Sequence, residues 1–583
     1  MTARAATSRL VTNAEIAQAL SELADALEIE GANPFRVRAY RTGAQTVESL
    51  AQPIAAVAAA GGVAALDELP GIGESLAAKI AELLATGELR QLARVRRRVP
   101  TTLSALLGIP GLGPKRVHQL HEQLGVRDLA DLERALVHGE LAELAGFGAR
   151  SVEKLRRGIE IFRRRTGRFL LAAAEPWAEA LRERLAAAPG TRRVEVAGSY
   201  RRRKETVGDL DLLCSTRSPD GVARAFTGFD AVEEVVARGP TRVAVRLRNG
   251  LPVDLRLVDD AAFGAALVYF TGSKQHNIVL RALAQERGLK MNEYGVFRGR
   301  RRLAGRTEEE VYAQVGAAWI PPELRENRGE IEAARAGRLP RLVELGDLRG
   351  DLQMHTRVTD GRATAAEMAT AARALGREYV AITEHSQAVR VARGLDDRAM
   401  RAHARALRRL RVPGIRVLAG VEVDIRKDGT LDLAPATLRG LDVVVASVHS
   451  ALEQDEATMT KRVIAAIDSG LVHVLGHPTG RLLGEREPIA IDLAAVVAAC
   501  VRRGVALEIN AHPHRLDLDD VQARAAREAG AKLVISTDAH STDELGLLRF
   551  GVDVARRAGL ERSDVLNTLS VGRLLAALGR SRR

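Results

Sequence analysis

Two carboxylates two residues apart stand in the run Gly208-Asp209-Leu210-Asp211, and a strand through them turns both side chains to one face. A third, Asp254, sits in the alternating run Leu251-Pro252-Val253-Asp254-Leu255-Arg256-Leu257, which reads as another strand of the same sheet. Hard oxygen ligands that leave coordination positions open suit Mg²⁺ carrying substrate phosphates, the requirement of two-metal phosphoryl transfer. Just upstream, Gly198-Ser199 can form a phosphate-cradling turn, with Arg201 and Arg202 as fork-shaped cations. A separate scatter of His, Asp and Glu extends from His355 to His540. It suggests a second metal-dependent phosphate chemistry on the same chain.

These groups need positioning elements, and a chain of 583 residues is long enough for about three to five domains. The first 160 residues read as helix. Within them Leu69-Pro70-Gly71-Ile72-Gly73, Ile109-Pro110-Gly111-Leu112-Gly113 and Leu144-Ala145-Gly146-Phe147-Gly148 each precede an amphipathic segment. A tight glycine turn opening a helix exposes backbone N–H groups that can hold a DNA phosphate without reading its base. Residues 166–260 alternate strands and helices and should form the catalytic sheet. Residues 261–320 look mixed, with Tyr269-Phe270 expected at a turn, and a polar stretch over 321–345 reads as a linker. From Asp347 onward, β-branched runs ending in polar residues, such as Val443-Val444-Val445-Ala446-Ser447-Val448-His449, alternate with Ala/Leu-rich helices. That order implies a parallel sheet, and polar residues at its C-terminal strand ends imply a barrel.

Lys and Arg number 87 against 74 Asp and Glu, a net charge of +13, which favours polyanionic partners and adds salt-dependent affinity for nucleic acid. The two cysteines, Cys214 and Cys500, form no Cys-x-x-Cys pair and fit a reducing compartment. Met1 to Asn13 lacks the basic-then-apolar order of a secretory peptide, and the apolar stretch from Pro53 to Leu66 is too short to span a bilayer. A cytoplasmic, nucleoid-associated monomer with no membrane contact is expected.

The passage from Gly198 through Gly208-Asp209-Leu210-Asp211 and Val253-Asp254-Leu255-Arg256, continuing through Tyr269-Phe270-Thr271-Gly272-Ser273, Asn277, Arg281 and Asn292-Glu293-Tyr294, resembles the family X DNA polymerases. The glycine turns resemble helix-hairpin-helix motifs. This resemblance covers most of residues 1–320. It implies Asp209, Asp211 and Asp254 as the catalytic carboxylates holding Mg²⁺, and Ser199, Arg202 and Gly208 as triphosphate ligands. It further implies Tyr269, Phe270, Gly272 and Asn277 around the nucleotide, Arg281 beside the nascent base pair, and Gly71, Gly73, Gly111 and Gly113 on DNA. Lys79 falls where lyase-active members carry a Schiff-base lysine. Ser75, Arg36 and Gln91 depart from the further lysines of those members.

Residues 346–583 resemble the polymerase-and-histidinol-phosphatase (PHP) domain through Gln353-Met354-His355 with Asp360-Gly361, Thr383-Glu384-His385, Gly420-Val421-Glu422-Val423-Asp424, Ser447-Val448-His449, Gly476-His477-Pro478 and Thr537-Asp538-Ala539-His540. The family fold is a distorted (β/α)7 barrel holding up to three ions, here expected as Mn²⁺ or Zn²⁺. By resemblance, Gln353, His355, Glu422 and Asp538 surround one metal. Glu422, His449 and His477 surround a second, and Asp360, His385 and His540 a third. Gln353 replaces a histidine common at its position, and Glu384 an aspartate. An amide oxygen shifts preference toward Mn²⁺ or Mg²⁺ over Zn²⁺.

The expected protein is multidomain: helix-hairpin-helix domains at 1–90 and 91–165, an α/β nucleotidyltransferase palm at 166–260, a nucleotide-selection domain at 261–320, the linker and the PHP barrel. The combination implies a DNA polymerase that fills short gaps in gapped or nicked double-stranded DNA with dNTPs during repair, with a 3′-5′ exonuclease in the barrel. AP endonuclease, 3′-phosphatase and 5′-deoxyribose-phosphate lyase are candidate side activities. The leading alternative is a 3′-end-processing nuclease or phosphatase whose polymerase half delivers DNA. A non-catalytic scaffold conflicts with the complete aspartate triad, and a stand-alone histidinol-phosphate phosphatase has no use for residues 1–320.

Overall fold

The computed structural model describes residues 13–49, 54–69, 71–87, 89–96, 99, 103, 106–109, 112–144, 146–148, 151–156, 158–159, 168–483 and 486–580. The chain forms two compact units, Met1–Gly167 and Arg168–Arg583. No helix among the described residues is long and apolar enough to cross a membrane.

The first unit is helical. Apolar residues at helical spacing, among them Leu20, Leu23 and Leu27 of the Asn13–Ile29 helix and Ile80 and Leu83 of the Glu74–Thr86 helix, meet in one core with Leu112, Val117 and Leu120. Gly73 and Gly113 cap the N-termini of the Glu74–Thr86 and Pro114–Leu124 helices in extended conformation. A Cβ at either meets only open space. Gly71 is different: its φ is +77°, and a Cβ there would lie 2.6 Å from Thr42 Cγ2. Gly111 lies outside the described residues.

The second unit carries two sheets that position its polar residues. In the first, β1 (Thr191–Val196), β2 (Leu210–Thr216), β3 (Val232–Arg238), β4 (Arg242–Leu247) and β5 (Pro252–Val258) lie in the order β1-β2-β5-β4-β3. β2 and β5 run parallel, the other pairs antiparallel. The second sheet is all parallel and in sequence order: β6 (Gly350–Asp351), β7 (Tyr379–Ile382), β8 (Arg416–Asp424), β9 (Val443–Ser447), β10 (Val474–Leu475), β11 (Ala506–Asn510) and β12 (Leu533–Ser536). A bridge between Met354 and Ala539 joins its first and last segments, so the sheet curls into a nearly closed seven-stranded barrel. Helices cover the outside, and the strands are buried on both faces, as a parallel sheet requires. One continuous apolar core runs from Leu181 of the Leu171–Ala186 helix and Leu212 and Leu255 of the first sheet to Val421, Val444 and Ile535 of the barrel.

Two expectations need correction. Tyr269 and Phe270 are not at a turn. They end the Phe263–Thr271 helix, because its apolar residues Phe263, Ala266 and Leu267 pack on Leu213; the chain turns one step later at Gly272, with φ +67°. Residues 321–345 are not a loose linker either. They contain the Glu330–Arg335 helix, whose Ile331 and Ala334 join a core with Val311, Tyr312 and Ile320.

Within this packed stretch Arg325 is fully buried, donating to Glu308 Oε1 at 2.7 Å and to the Ile320 carbonyl at 2.9 Å. Arg201 reaches the same carboxylate at 2.7 and 2.8 Å, and Trp319 Nε1 donates to it at 2.8 Å. Burial alone would raise Glu308, but bonds from Arg201 and the Arg325 charge hold its carboxyl down at about 2. Replacing Glu308 with Ala leaves two guanidiniums without their counter-charge. Urea unfolding followed by tryptophan fluorescence should show a loss of about 3–5 kcal/mol, and Glu308→Gln a smaller loss.

Candidate active sites

The parallel register of β2 and β5 sets Asp211 directly beside Asp254, and Asp209 immediately precedes β2. Three carboxylates therefore gather at one end of the sheet. Burial, reinforced by the charges of Asp209 and Asp254, pushes Asp211 up to about 7; burial and Asp254 also raise Asp209. Such mutual repulsion is the electrostatic signature of a cation site. Asp254 also accepts from Arg242 Nη2, at 2.8 and 3.2 Å, and lies 3.8 Å from Arg256 Nη2.

Facing these carboxylates, Gly198 opens the helical turn Gly198–Arg201 with φ +63°; a Cβ would stand 2.6 Å from Asp211 Oδ2. Only glycine brings the turn, with Ser199, this close to the acid. Arg202 follows it, donating through Nε to Glu326 Oε1 at 3.0 Å and through Nη1 to the Thr271 carbonyl, while Gly208 ends the loop before Asp209. Arg201, paired with Arg202 by the sequence, does not face the carboxylates with a free fork. Its guanidinium is spent on Glu308 and Thr271 Oγ1. Tyr269 and Phe270 stack edge-on with ring centroids 5.1 Å apart, next to Gly272. Asn277 Nδ2 donates to the Tyr269 carbonyl at 2.7 Å, and Arg281 Nε to the Asn277 carbonyl at 3.4 Å, so these residues share one surface with Met291 and Asn292.

At the C-terminal ends of the barrel strands a second cluster converges on Glu422, which is 1% exposed. Glu422 Oε1 lies 2.9 Å from His477 Nε2 and 3.2 Å from His449 Nε2; Oε2 lies 3.0 Å from His385 Nδ1 and 3.5 Å from His355 Nε2. Asp538 Oδ1 is 3.1 Å from His355 Nε2, and Asp360 Oδ2 is 3.3 and 3.5 Å from the Nε2 atoms of His385 and His540. Among the described residues, ligand atoms close enough to share an ion fall into three groups: His355, Asp360, His385 and His540; His385, Glu422 and His449; His355, Glu422 and Asp538. The first adds His355 to the trio read from the sequence, and the second has His385 where His477 was expected. Burial works against charge throughout, yet Glu422 and Asp360 push His385 up to about 11, and carboxylates push His449 and His540 to about 9.

The donor set fits divalent cations. Gln353 is fully buried; its Nε2 donates to Asp538 Oδ1 at 3.4 Å, while its Oε1 has no hydrogen-bond partner. A buried amide oxygen left bare is costly unless something electropositive meets it. Imidazoles and carboxylates around it supply a mixed nitrogen and oxygen sphere.

Residues not singled out from the sequence orient this set. Asp424 Oδ1 accepts from the His449 backbone N–H at 3.0 Å and lies 3.2 Å from His449 Nδ1, fixing the ring that faces Glu422. Its spacing two residues beyond Glu422 on β8 was the available signal, since alternate residues share a face. Glu508, fully buried, accepts from the His477 N–H at 2.7 Å. Glu384 is also buried, tied to Thr356 and Thr359 rather than to the cluster. In the helical unit, Lys79 is half-buried, with Nζ 2.9 Å from Ser75 Oγ, 3.0 Å from the Ser75 carbonyl and 5.8 Å from the centroid of the Tyr40 ring.

Comparison with known proteins follows the same division. Residues 11–89 match a helix-hairpin-helix domain, 103–160 a SAM-like helix-hairpin-helix tandem, 266–326 the DNA polymerase beta thumb and 351–512 the PHP domain. Over 573 residues, 97% of this chain and 99% of the other, the sequence is 36% identical to the DNA polymerase/3′-5′ exonuclease PolX of Bacillus subtilis (strain 168). Shorter matches are to a probable phosphatase of Serratia proteamaculans (strain 568), 32% identical over 40% of this chain and 94% of that protein, and to the probable phosphatase YcdX of Escherichia coli O127:H6, 33% identical over 34% and 80%. A similarity that runs from end to end, and not over the barrel alone, decides the assignment: the chain belongs to the bacterial family X DNA polymerases that carry a C-terminal PHP domain.

Proposed function

We propose that the protein is a DNA-directed DNA polymerase that fills short gaps during repair, and that its barrel is a metal-dependent 3′-5′ exonuclease. The observation that carries this reading is the side-by-side placement of Asp211 and Asp254 on parallel strands beneath the Gly198 turn. Asp209, Asp211 and Asp254 would hold Mg²⁺, which when bound neutralises the triphosphate and favours the ionised primer hydroxyl. Asp254 takes the proton of the primer 3′-hydroxyl. Ser199, Arg202 and Gly208 bind the triphosphate of the incoming dNTP, while Tyr269, Phe270, Gly272 and Asn277 border its sugar and base and Arg281 the template pair. Catalysis then rests on positioning and charge neutralisation, with no covalent protein intermediate.

In the barrel, Gln353, His355, Asp360, His385, Glu422, His449, His477, Asp538 and His540 would hold Mn²⁺ or another divalent cation, which supplies hydroxide and steadies charge on a scissile phosphodiester. Gly71, Gly73, Gly111 and Gly113 bring backbone N–H groups to gapped or nicked DNA, a contact that Gly73 and Gly113 favour by opening helices into free space. Lys79, half-buried beside Tyr40 and hydrogen-bonded to Ser75, would be the Schiff-base lysine of a 5′-deoxyribose-phosphate lyase side activity. Domain limits are taken as 1–90, 91–165, 166–260 and 261–320, with the barrel at 346–583, in a cytoplasmic monomer.

The two activities should separate genetically. On a 5′-phosphorylated gapped duplex, Asp211→Ala is expected to abolish nucleotide addition and leave end-trimming, and Glu422→Ala to do the reverse; loss of both in either folded variant would contradict two independent sites.

Metal retention tests Gln353. Weak amide donation predicts that a mild chelator removes nuclease activity and Mn²⁺ restores it, with Zn²⁺ supporting it poorly. Gln353→His should retain metal better by elemental analysis and shift preference toward Zn²⁺. Equal retention in both proteins places Gln353 outside the coordination sphere.

The pH dependence of stability tests Asp211. Its folded value near 7 lies above the ordinary 3.8, so the folded state binds this proton more tightly. The group's contribution is full below the unfolded value and is lost as pH rises to about 7. In chelator, Asp211→Asn should therefore melt several degrees above the parent at pH 8, with the advantage vanishing near pH 4.

A further inference from the structure

The segment that leaves the Gly198–Arg201 turn is gripped by the barrel. Arg557 ends the Leu548–Arg557 helix, which packs outside the barrel, and is 4% exposed. Its fork is split: Nη1 donates to the Arg202 carbonyl at 2.6 Å and to Glu326 Oε1 at 3.1 Å, and Nη2 to Asp520 Oδ2 at 2.7 Å. One turn earlier, Asp553 Oδ2 accepts from Arg203 Nε at 2.8 Å. Arg203 sits at φ +54°, a left-handed conformation that a non-glycine residue keeps only where its surroundings hold it.

Glu326 Oε1 is shared, since Arg202 Nε reaches it at 3.0 Å from the other side. Its charge is divided between Arg557 of the barrel and the cations of the polymerase half, Arg202 in contact and Lys204 nearby. Without Arg557, Glu326 would keep only Arg202 and the nearby Lys204 charge, so more of its own charge would fall on Arg202 and hold that guanidinium in place, and the Arg202 carbonyl would lose its buried donor.

We propose that Arg557 is a positioning residue of the polymerase site: it fixes the Arg202 backbone and balances Glu326, leaving the Arg202 guanidinium able to engage the incoming triphosphate. The proposal rests on the reading of Arg202 as a triphosphate ligand. A simple cross-link between two halves would need any salt bridge at the contact. Here the donor meets the carbonyl of the nucleotide-binding residue and the carboxylate bound by that same residue's side chain.

The test is steady-state nucleotide addition on gapped DNA by the full-length protein, with exonuclease rate on single-stranded DNA as the measure of an intact barrel. Arg557→Met should raise the dNTP KM about tenfold while kcat and the exonuclease rate stay within about twofold. Adding Glu326→Gln, which removes the unbalanced charge, should bring KM back most of the way, a rescue that mere structural damage would not produce. An unchanged KM in Arg557→Met, or a double variant no better than the single one, overturns the proposal. If Arg557→Met loses exonuclease activity too, Arg557→Lys decides: one ammonium cannot serve Arg202, Glu326 and Asp520 together, and an unchanged KM there is equally fatal. Arg202→Ala separates the two levels of the argument. If that variant has a normal dNTP KM, the reading of Arg202 itself is wrong; if its KM rises while the Arg557 variants are normal, only the role of Arg557 falls.

Discussion

Like charge crowded at the ends of parallel strands is the constraint that the second unit is built around. Asp209, Asp211 and Asp254 in one sheet, and Asp360, Glu422 and Asp538 in the barrel, are acids that the fold must bring together against their repulsion. Backbone register does the work in the first sheet, because the β2–β5 ladder fixes Asp211 beside Asp254 whatever the side chains prefer. In the barrel the strands aim their ends at one point, and imidazoles intervene between the carboxylates. In the first sheet the electrostatic cost is one that cations would relieve, whereas in the barrel the histidines already meet the carboxylate charge; in both, folding and chemistry are tied to the same groups.

Arginine is the counterweight. Glu308 takes Arg201 and Arg325, Glu326 takes Arg202 and Arg557, and Glu205 takes Arg481 across the contact between the two sheets. Buried pairs of this kind add little net stability beside apolar packing, but they penalise every misregistered docking by leaving charges bare. Their placement shows that a chain rich in arginine commits many of its cations to its own carboxylates. A basic composition is no map of a binding surface, and Arg201 is the clearest case.

The sequence was most legible where chemistry demands a residue type at a strand end. The spacing of Asp209, Asp211 and Asp254, and the recurrence of histidines after β-branched runs, were enough to anticipate a sheet and a parallel barrel, because period-two patterning and strand-end polarity are local signals. Partnership was not legible. Nothing near Arg201 in the chain points to Glu308, 107 residues away, nor does anything near Arg202 point to Arg557. Residues 321–345 read as polar and broken because their short helix and their buried Arg325 satisfy non-local partners. Tyr269 and Phe270 looked like a turn only because Gly272 follows so closely. Asp424 was visible as a motif letter, yet its task of orienting His449 depends on a loop that packs back over β8.

The shared core of palm and barrel fixes the two acidic clusters relative to each other. Apolar side chains run without interruption from one to the other, so a hinge between them would expose buried surface and break paired charges. The two acidic clusters therefore sit at fixed stations on one compact unit, and a substrate that is to meet both has to move between them. The distance between the two clusters is thus a constant of the fold, and it is the substrate that must adapt to it.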